Sequence, residues 1–166
     1  MSSPNGPRTG RPSTRAPSGV VATPHYLASS AGVNALQRGG TAVDAAIAAN
    51  AVLCVAYPHM AGLGGDGFWL IAEPGGRVHG INASGPAARA ATLDYYRPHA
   101  VDNEIPARGP LSILTVPGAI DGWRLAHERF GRLPWNELFE AAITYARDGV
   151  PVSRSLKDWL VQDVPI

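Results

Sequence analysis

The chain has 166 residues and a mass of 17.4 kDa, which is room for one domain with a sizeable core and too little for two. With 14 basic and 13 acidic residues the net charge is +1, so charge gives no reason to expect nucleic acid or an anionic membrane as a partner. The single cysteine, Cys54, excludes an internal disulfide framework and a cysteine-based metal cluster.

The first 18 residues differ in composition from the rest of the chain. They are almost wholly Ser, Pro, Gly, Arg, Thr and Asn, and they include arginines but no acidic residue. Such a segment lacks the apolar side chains that offset the entropy of ordering. We therefore predict a disordered basic leader over residues 1–18, solvated or touching an anionic surface, and a folded portion over residues 19–166.

The folded portion opens with a predicted strand and a predicted helix. Residues 19–23 contain β-branched side chains and end at Pro24, which predicts a short strand. Helical spacing of apolar residues follows over residues 25–38, and the glycine pair at residues 39–40 ends that pattern.

A second helix is predicted over residues 42–56. Thr41 is a natural N-cap, and Asp44 stands three positions later, which is a carboxylate version of the capping box. The helix is apolar on nearly every side, yet it is shorter than the roughly 20 residues that a bilayer requires. We predict that it is buried inside the protein.

A glycine-rich loop leads into a predicted hairpin. Residues 62–67 carry the letters of the dinucleotide fingerprint G-x-G-x-x-G, but a helix precedes them and a strand follows, which reverses the required context. The glycines instead allow a tight entry into a strand, or a close approach of a ligand or another chain segment. The two strands are predicted over residues 68–72 and 77–81, and the chain is predicted to leave the sheet over residues 82–86.

The rest of the chain is predicted to be mainly helical. A short helix is predicted near residues 92–96. Longer helices are predicted over residues 117–130 and from Pro134 to Gly149. A last amphipathic helix is predicted to begin at Ser153. The order of elements indicates layered α/β architecture with an antiparallel hairpin rather than a regular βαβ repeat.

No complete set of catalytic residues is apparent in the local sequence. The histidines lack metal-ligand spacing, and no G-x-S-x-G nucleophile motif occurs. His59 lies in the glycine-rich loop, and a structural role with a hydrogen bond to backbone is favoured over catalysis. Cys54 lies inside the apolar helix and is expected to be an inert core residue. Asp121 and Glu128 have helical spacing with Arg124 and indicate a solvated face.

Several strings occur in the order in which γ-glutamyltranspeptidases have them, and together they span about residues 19–160. They lie at residues 19–25, 28–32, 39–46, 58–68, 116–122, 126–135 and 149–153. On these strings the chain resembles the N-terminal part of the large subunit of that family. The resemblance implies part of the αββα sandwich of N-terminal-nucleophile hydrolases.

The same resemblance implies a chemistry and a partner. Family precursors cleave themselves, and the small subunit then begins with a threonine whose hydroxyl is the nucleophile and whose amine is the base. A γ-glutamyl group is transferred to water or an amine, with glutathione as the family substrate. We therefore expect no catalytic residue in this chain, no metal or other cofactor, and inactivity without its own small subunit.

One substrate-binding position is implied in this chain. The family's large subunit binds the glutamyl α-carboxylate with an arginine four residues before a proline; here Pro86 is that proline and Asn82 takes the arginine's place. Losing a charge-assisted contact costs about 2–3 kcal/mol. Asn82 is therefore either a contact for a non-γ-glutamyl substrate or a turn residue, and Arg89 is the other cation that could approach the site.

Three functions follow as expectations. The first is the N-terminal part of a γ-glutamyltranspeptidase-like enzyme acting on a small-molecule amide. The second is a related acylase or amidohydrolase, and the third is a non-catalytic truncated product. The sequence lacks the apolar stretch of a secretory signal and any membrane span, so the expected location is the cytoplasm, or the periplasm or exterior if the start site is misassigned.

Overall fold

The computed structural model describes residues 13, 15–100, 103–113 and 115–161. The predicted disordered leader falls largely on residues outside this set. The regular elements of the described part are α1 (Tyr26–Gln37), α2 (Ala42–Ala56), β1 (Gly67–Ala72), β2 (Val78–Ala83), α3 (Leu93–Tyr96), α4 (Ala119–Phe130), α5 (Glu140–Asp148) and α6 (Arg154–Val161), with 3₁₀ turns at Arg97–His99, Pro110–Ser112 and Trp135–Phe139.

Helix α2 is the centre of the helical layer. It packs against α1 on one side and against α4, α5 and the turn Trp135–Phe139 on others. Its alanines let these neighbours approach closely, while Ile47 and Val52 are fully buried. The predicted buried helix and its bounds are confirmed.

The start of α2 has the predicted reciprocal cap. The Thr41 hydroxyl accepts a hydrogen bond from the Asp44 backbone N–H at 3.3 Å, and the Asp44 carboxylate accepts one from the Thr41 backbone N–H at 2.7 Å. Two N–H groups at the helix start, which have no partner within the helix itself, are thereby satisfied.

Strands β1 and β2 form an antiparallel hairpin, which confirms that prediction. Its inner face places Trp69, Ile71 and Ile81 against the helical core. Its outer face is exposed and apolar, with Leu70 85% accessible and Phe68 71% accessible. A sheet with one apolar face uncovered is an incomplete layer, because both faces of an apolar sheet require a packing partner.

Helix α4 connects the hairpin to the helical layer. It packs against both strands and against α2, and it buries Trp123, whose ring stacks on Phe139 at 6.1 Å. Gly131 ends α4 and Gly149, with φ of 90°, ends α5, as the sequence predicted. The Ser153 hydroxyl accepts from the Leu156 N–H at 3.2 Å and caps α6.

Three sequence expectations about secondary structure are wrong. Residues 19–23 form no strand, because no partner strand pairs with them in the described part of the chain. Strand β2 does not end at residue 81 but continues through Asn82 to Ala83, because β1 supplies Phe68 and Gly67 as partners. The helix predicted from Pro134 begins as the 3₁₀ turn Trp135–Phe139 before α5.

Candidate functional site

Three chain segments meet at one end of the hairpin. The carbonyl of Gly65 accepts hydrogen bonds from the N–H groups of Gly118 and Ala119, at 3.2 and 3.0 Å. The N–H of Val116 donates to the Pro86 carbonyl at 2.9 Å. The glycine-rich loop, the exit from β2 and the start of α4 are thereby joined through backbone.

Glycines allow these segments to approach so closely. A Cβ on Gly85, whose φ is 80°, would lie 1.8 Å from the Val116 carbonyl oxygen, and a Cβ on Gly118 would lie 2.4 Å from the Ala83 carbonyl oxygen. A side chain is therefore excluded by contact at both positions, and at Gly85 by backbone conformation as well. For the glycine-rich loop the sequence left open a tight entry into a strand or a close approach to a ligand or another segment. The loop does approach α4, because the Gly65 carbonyl is bonded there and a Cβ on Gly67 would lie 3.4 Å from Ala119.

Asn82 lies at this junction, within β2 and opposite Phe68. Its side-chain oxygen accepts a hydrogen bond from the Ser84 backbone N–H at 3.0 Å, which forms an Asx turn as the chain leaves the strand. The bond uses one of the two lone pairs of the amide oxygen, so Asn82 can offer a ligand its N–H donors and one further acceptor position. Asn82 is therefore a turn residue, and the same turn orients its amide, so this geometry is also compatible with the predicted substrate contact.

A cavity of about 480 Å³ lies beside Asn82. Residues 82–86 and 116–118 form two of its sides, and Asp121 and Leu125 of α4 form the third. Among the described residues Asp121 is the only charged residue that lines it, and Arg89 is not part of the lining. A carboxylate and a neutral amide are a poor environment for an anionic group, because no cation offsets its desolvation.

Asp121 has two roles that the sequence did not separate. It forms an exposed ion pair with Arg124 at 2.8 Å, and Arg124 also pairs with Glu128 at 2.6 Å, so the predicted solvated face is confirmed. The hydrogen bonds that Arg124 donates to Glu128 and to Asp121 raise the pKa of its guanidinium. The position of Asp121 in the cavity wall depends on how α4 meets β2, and helical spacing alone carries no signal for it.

His59 is bonded to a side chain and not to backbone, which corrects the sequence expectation. Its Nε2 lies 3.0 Å from the Ser155 hydroxyl, and its ring packs 4.2 Å from that of Tyr57. Its Nδ1 is buried and has no hydrogen-bond partner among the described residues. In the described part of the chain no third group bonds to the imidazole to complete a catalytic triad, so the contacts of this cluster attach α6 to the body.

Cys54 is half-buried and borders an apolar groove of about 590 Å³ beside Trp123 and Phe139. Burial raises the pKa of its thiol, which disfavours the reactive thiolate. In the part of the chain that the structure describes, no group of three or more His, Cys, Asp or Glu side chains is placed to hold a metal ion.

The arrangement of these elements defines a class of fold. It is a helical layer on one face of an antiparallel hairpin, with the other face uncovered and a small cavity at the hairpin end. This is a layered α/β fold of which one part is present.

Comparison with known proteins gives the family. A sequence model of γ-glutamyltranspeptidases matches residues 28–165. The oxamate amidohydrolase proenzyme of Klebsiella pneumoniae is 47% identical over 142 residues, covering 82% of this chain and 26% of that protein. The glutathione hydrolase-like YwrD proenzyme of Bacillus subtilis is 45% identical over 135 residues, covering 81% of this chain and 25% of that protein.

A solved structure shares the fold. The crystal structure of Helicobacter pylori γ-glutamyltranspeptidase superposes with a TM-score of 0.81 at 28% identity, covering 90% of this chain and 43% of that one. The chain belongs to the γ-glutamyltranspeptidase family, and its fold is part of the N-terminal-nucleophile hydrolase sandwich. It spans about a quarter of the length of these curated relatives.

Proposed function

We propose that this chain forms the acyl-binding side of the large subunit of an amide-cleaving enzyme of this family. The observation that carries the proposal is the position of Asn82, which lines a cavity at the hairpin end. The bond cleaved is the amide of a small molecule, and the acyl group passes to water or to an amine. The chain supplies binding and orientation, and a threonine outside it supplies the nucleophile.

The partner in this proposal is the protein's own small subunit, released by self-cleavage of a proenzyme. The relatives named above are proenzymes, and each is about four times as long as the matched segment. The outer hairpin face, with Phe68, Leu70 and Val78 exposed, provides apolar surface for a second sheet. Without that partner the chain is inactive, because it contains the substrate contact but not the reacting hydroxyl.

Two substrate classes are distinguished by the cavity. The γ-glutamyl group of glutathione carries an α-carboxylate, and Asn82 can meet it only with neutral donors. The lining of Asn82 and Asp121 favours an acyl group other than γ-glutamyl, and this observation supports the amidohydrolase alternative. The relative named as an oxamate amidohydrolase supports an amide without a γ-glutamyl group, but oxamate is itself a carboxylate, so this name gives no support for an uncharged acyl group.

The test compares the isolated chain with the product of the full reading frame that contains it. We expect the longer product to split into two subunits on a denaturing gel and to release amine or ammonia from an amide substrate. A γ-glutamyl anilide, glutathione and oxamate serve as probes. Activity of the isolated chain, or a longer product that neither splits nor cleaves any probe, contradicts the proposal and favours the non-catalytic alternative.

The proposed location is the cytoplasm. In the described part of the chain no helix is long and apolar enough to cross a membrane. Cell fractionation with an antibody to this chain tests the proposal, and recovery in the periplasm or culture medium contradicts it.

A further inference from the structure

Asp66 is the charged residue of the glycine-rich loop at residues 62–67. It directly precedes β1 and continues the alternation of that strand, since Asp66 and Phe68 are exposed while Gly67 and Trp69 are half-buried. Phe68 belongs to the outer face of the hairpin. The side chain of Asp66 therefore lies on that outer face, beside the end of the sheet at which the chain leaves β2.

Asn82 lies on the same face as Asp66. It pairs directly with Phe68, and it is exposed like Val78 and Gly80, the alternate residues of β2. Residues paired across an antiparallel sheet have Cβ atoms about 5 Å apart, and diagonal neighbours have Cβ atoms about 7 Å apart. Asp66 stands one such diagonal step from Asn82. A carboxylate and a carboxamide are thus near neighbours at the proposed acyl-binding end of the hairpin.

The Asp66 carboxylate is held in place and keeps acceptor positions free. The Thr115 hydroxyl donates to its Oδ1 at 3.2 Å, and an isolated antiparallel bridge joins Thr115 to Ala87. In the described part of the chain this is the only hydrogen bond of the Asp66 side chain, and no cationic side chain pairs with it there. Asp121 differs, because Arg124 pairs with it at 2.8 Å. Asp66 is therefore the carboxylate near Asn82 whose charge no cation among the described residues offsets.

The glycine-rich loop leaves space beside Asp66. A Cβ on Gly64 or Gly65 would meet nothing within 4 Å, and neither glycine has a positive φ. Neither packing nor backbone conformation within the described part of the chain accounts for a glycine at these positions. Backbone without side chains does, however, allow a small molecule to approach the carboxylate closely.

We propose that Asp66 determines substrate specificity at the site of Asn82, by accepting a hydrogen bond from an amino group on the acyl part of the substrate. The substrate class is then an amide whose acyl group carries an ammonium and no carboxylate close to Asp66. An ammonium there is paired with the carboxylate, whereas a second carboxylate meets a like charge. In its need for a nucleophile outside this chain, the inference rests on the proposed function.

Three anilides that differ only in the end of the acyl chain test this preference in the longer, processed product. They are γ-aminobutyryl anilide with an ammonium, glutaryl anilide with a carboxylate and pentanoyl anilide with a methyl group. We expect kcat/KM for the ammonium probe to exceed that for the methyl probe about 10- to 100-fold, and Asp66→Asn to remove most of this ratio. Asp66→Asn should also raise activity on the carboxylate probe relative to the methyl probe, because the like charge is gone.

Two further variants separate the charge of Asp66 from other effects. Asp66→Glu keeps the charge and should keep the order of the ammonium and carboxylate probes. Asp94→Asn removes an exposed carboxylate of α3, whose side chain is 90% accessible, and should leave all three ratios unchanged. Because Asp66 is exposed, all of these variants should split into subunits and melt like the parent product.

Calorimetric titration of the longer product with γ-aminobutyramide and pentanamide provides a readout that needs no cleavage. Equal affinities for the two amides, or a preference that survives Asp66→Asn, overturns the role of Asp66 even where the anilides are cleaved. A preference for the ammonium that Asp66→Asn removes, in a product that cleaves no anilide, supports this role and overturns the proposed function alone. A product that neither binds nor cleaves any probe overturns both.

Discussion

The carboxylate of Asp44 accepts the backbone N–H of Arg132 with both oxygens, at 3.2 and 3.0 Å, although 88 residues separate the two. The same buried carboxylate accepts from the N–H groups of Thr41 and Leu133. His127 lies 3.6 Å away and bonds to the Leu133 carbonyl at 2.8 Å. One acidic side chain therefore caps α2 and also attaches the loop that follows α4.

Removing the Asp44 carboxylate should destabilise the chain strongly. Asp44→Ala leaves three partly buried backbone N–H groups without their acceptor, and we expect a loss of about 3 kcal/mol in the free energy of unfolding. Asp44→Asn keeps one acceptor oxygen and should lose less. Urea titration of the 166-residue chain measures both, and Asp121→Asn, an exposed carboxylate, is the control with a change below about 0.5 kcal/mol. A loss for Asp44→Ala no larger than that of the control contradicts this role.

The junction beside Asn82 should not tolerate a side chain at Gly85. Gly85→Ala places a methyl group on the Val116 carbonyl oxygen and also strains a positive φ, so we expect a loss of about 3 kcal/mol or more. Gly76→Ala, with φ of 84° and open space around it, should lose only about 1–2 kcal/mol. Gly64→Ala, with open space and no positive φ, should be nearly neutral. Equal losses in all three variants would show that contact with Val116 is unimportant.

The substrate preference should follow the side chain at position 82. In the longer, processed product, Asn82→Arg supplies a cation for an α-carboxylate, and we expect activity on a γ-glutamyl anilide to rise roughly 30- to 150-fold relative to other amides. Both replacements remove the hydrogen bond to the Ser84 N–H, so arginine and alanine should lower the melting temperature by the same small amount. Asn82→Ala is the matched control and should lower activity on the native amide without this gain. No gain with arginine would mean that the rest of the pocket also differs from that of γ-glutamyl enzymes.

The outer hairpin face should make the isolated chain associate. Leu70→Lys introduces a charge at the centre of this face, and we expect weaker concentration-dependent association in sedimentation velocity, with an unchanged melting temperature. Leu93→Lys is a control of similar exposure, 76% against 85%, located away from the hairpin. In the longer product, Leu70→Lys should impair assembly, because the same face is proposed to be covered there. Equal effects of the two lysines would assign the association to general hydrophobicity.

Cys54 should react slowly with alkylating reagents. Burial raises the pKa of its thiol, so between the unfolded and folded pKa values unfolding releases a proton. The contribution of this group to stability is therefore complete below the unfolded pKa and is lost as pH rises towards the folded one. We expect the rate of iodoacetamide labelling against pH to lie at higher pH in the folded chain than in guanidinium chloride. Superposed curves would contradict the shift, and Cys54→Ala gives the background.

Short-range patterns were sufficient for much of this fold. The reciprocal cap of Thr41 and Asp44, the bounds of α2 and the hairpin of β1 and β2 were all predicted, because each depends on residues close together in the chain. The family was also predicted, since its strings lie in order along the chain. Asn82 was singled out by the resemblance, which places it where the family has its carboxylate-binding arginine, and its role as a substrate contact stays a prediction.

Contacts between distant segments could not be derived in this way. The bond from Arg132 to Asp44, the contact of Gly85 with Val116 and the place of Asp121 beside Asn82 all depend on how α4 lies against α2 and β2. Residues 19–23 also show that local sequence does not decide whether a segment forms a strand. Their side chains favour extended backbone, but a strand also requires a partner, and pairing is a property of the tertiary structure rather than of the segment.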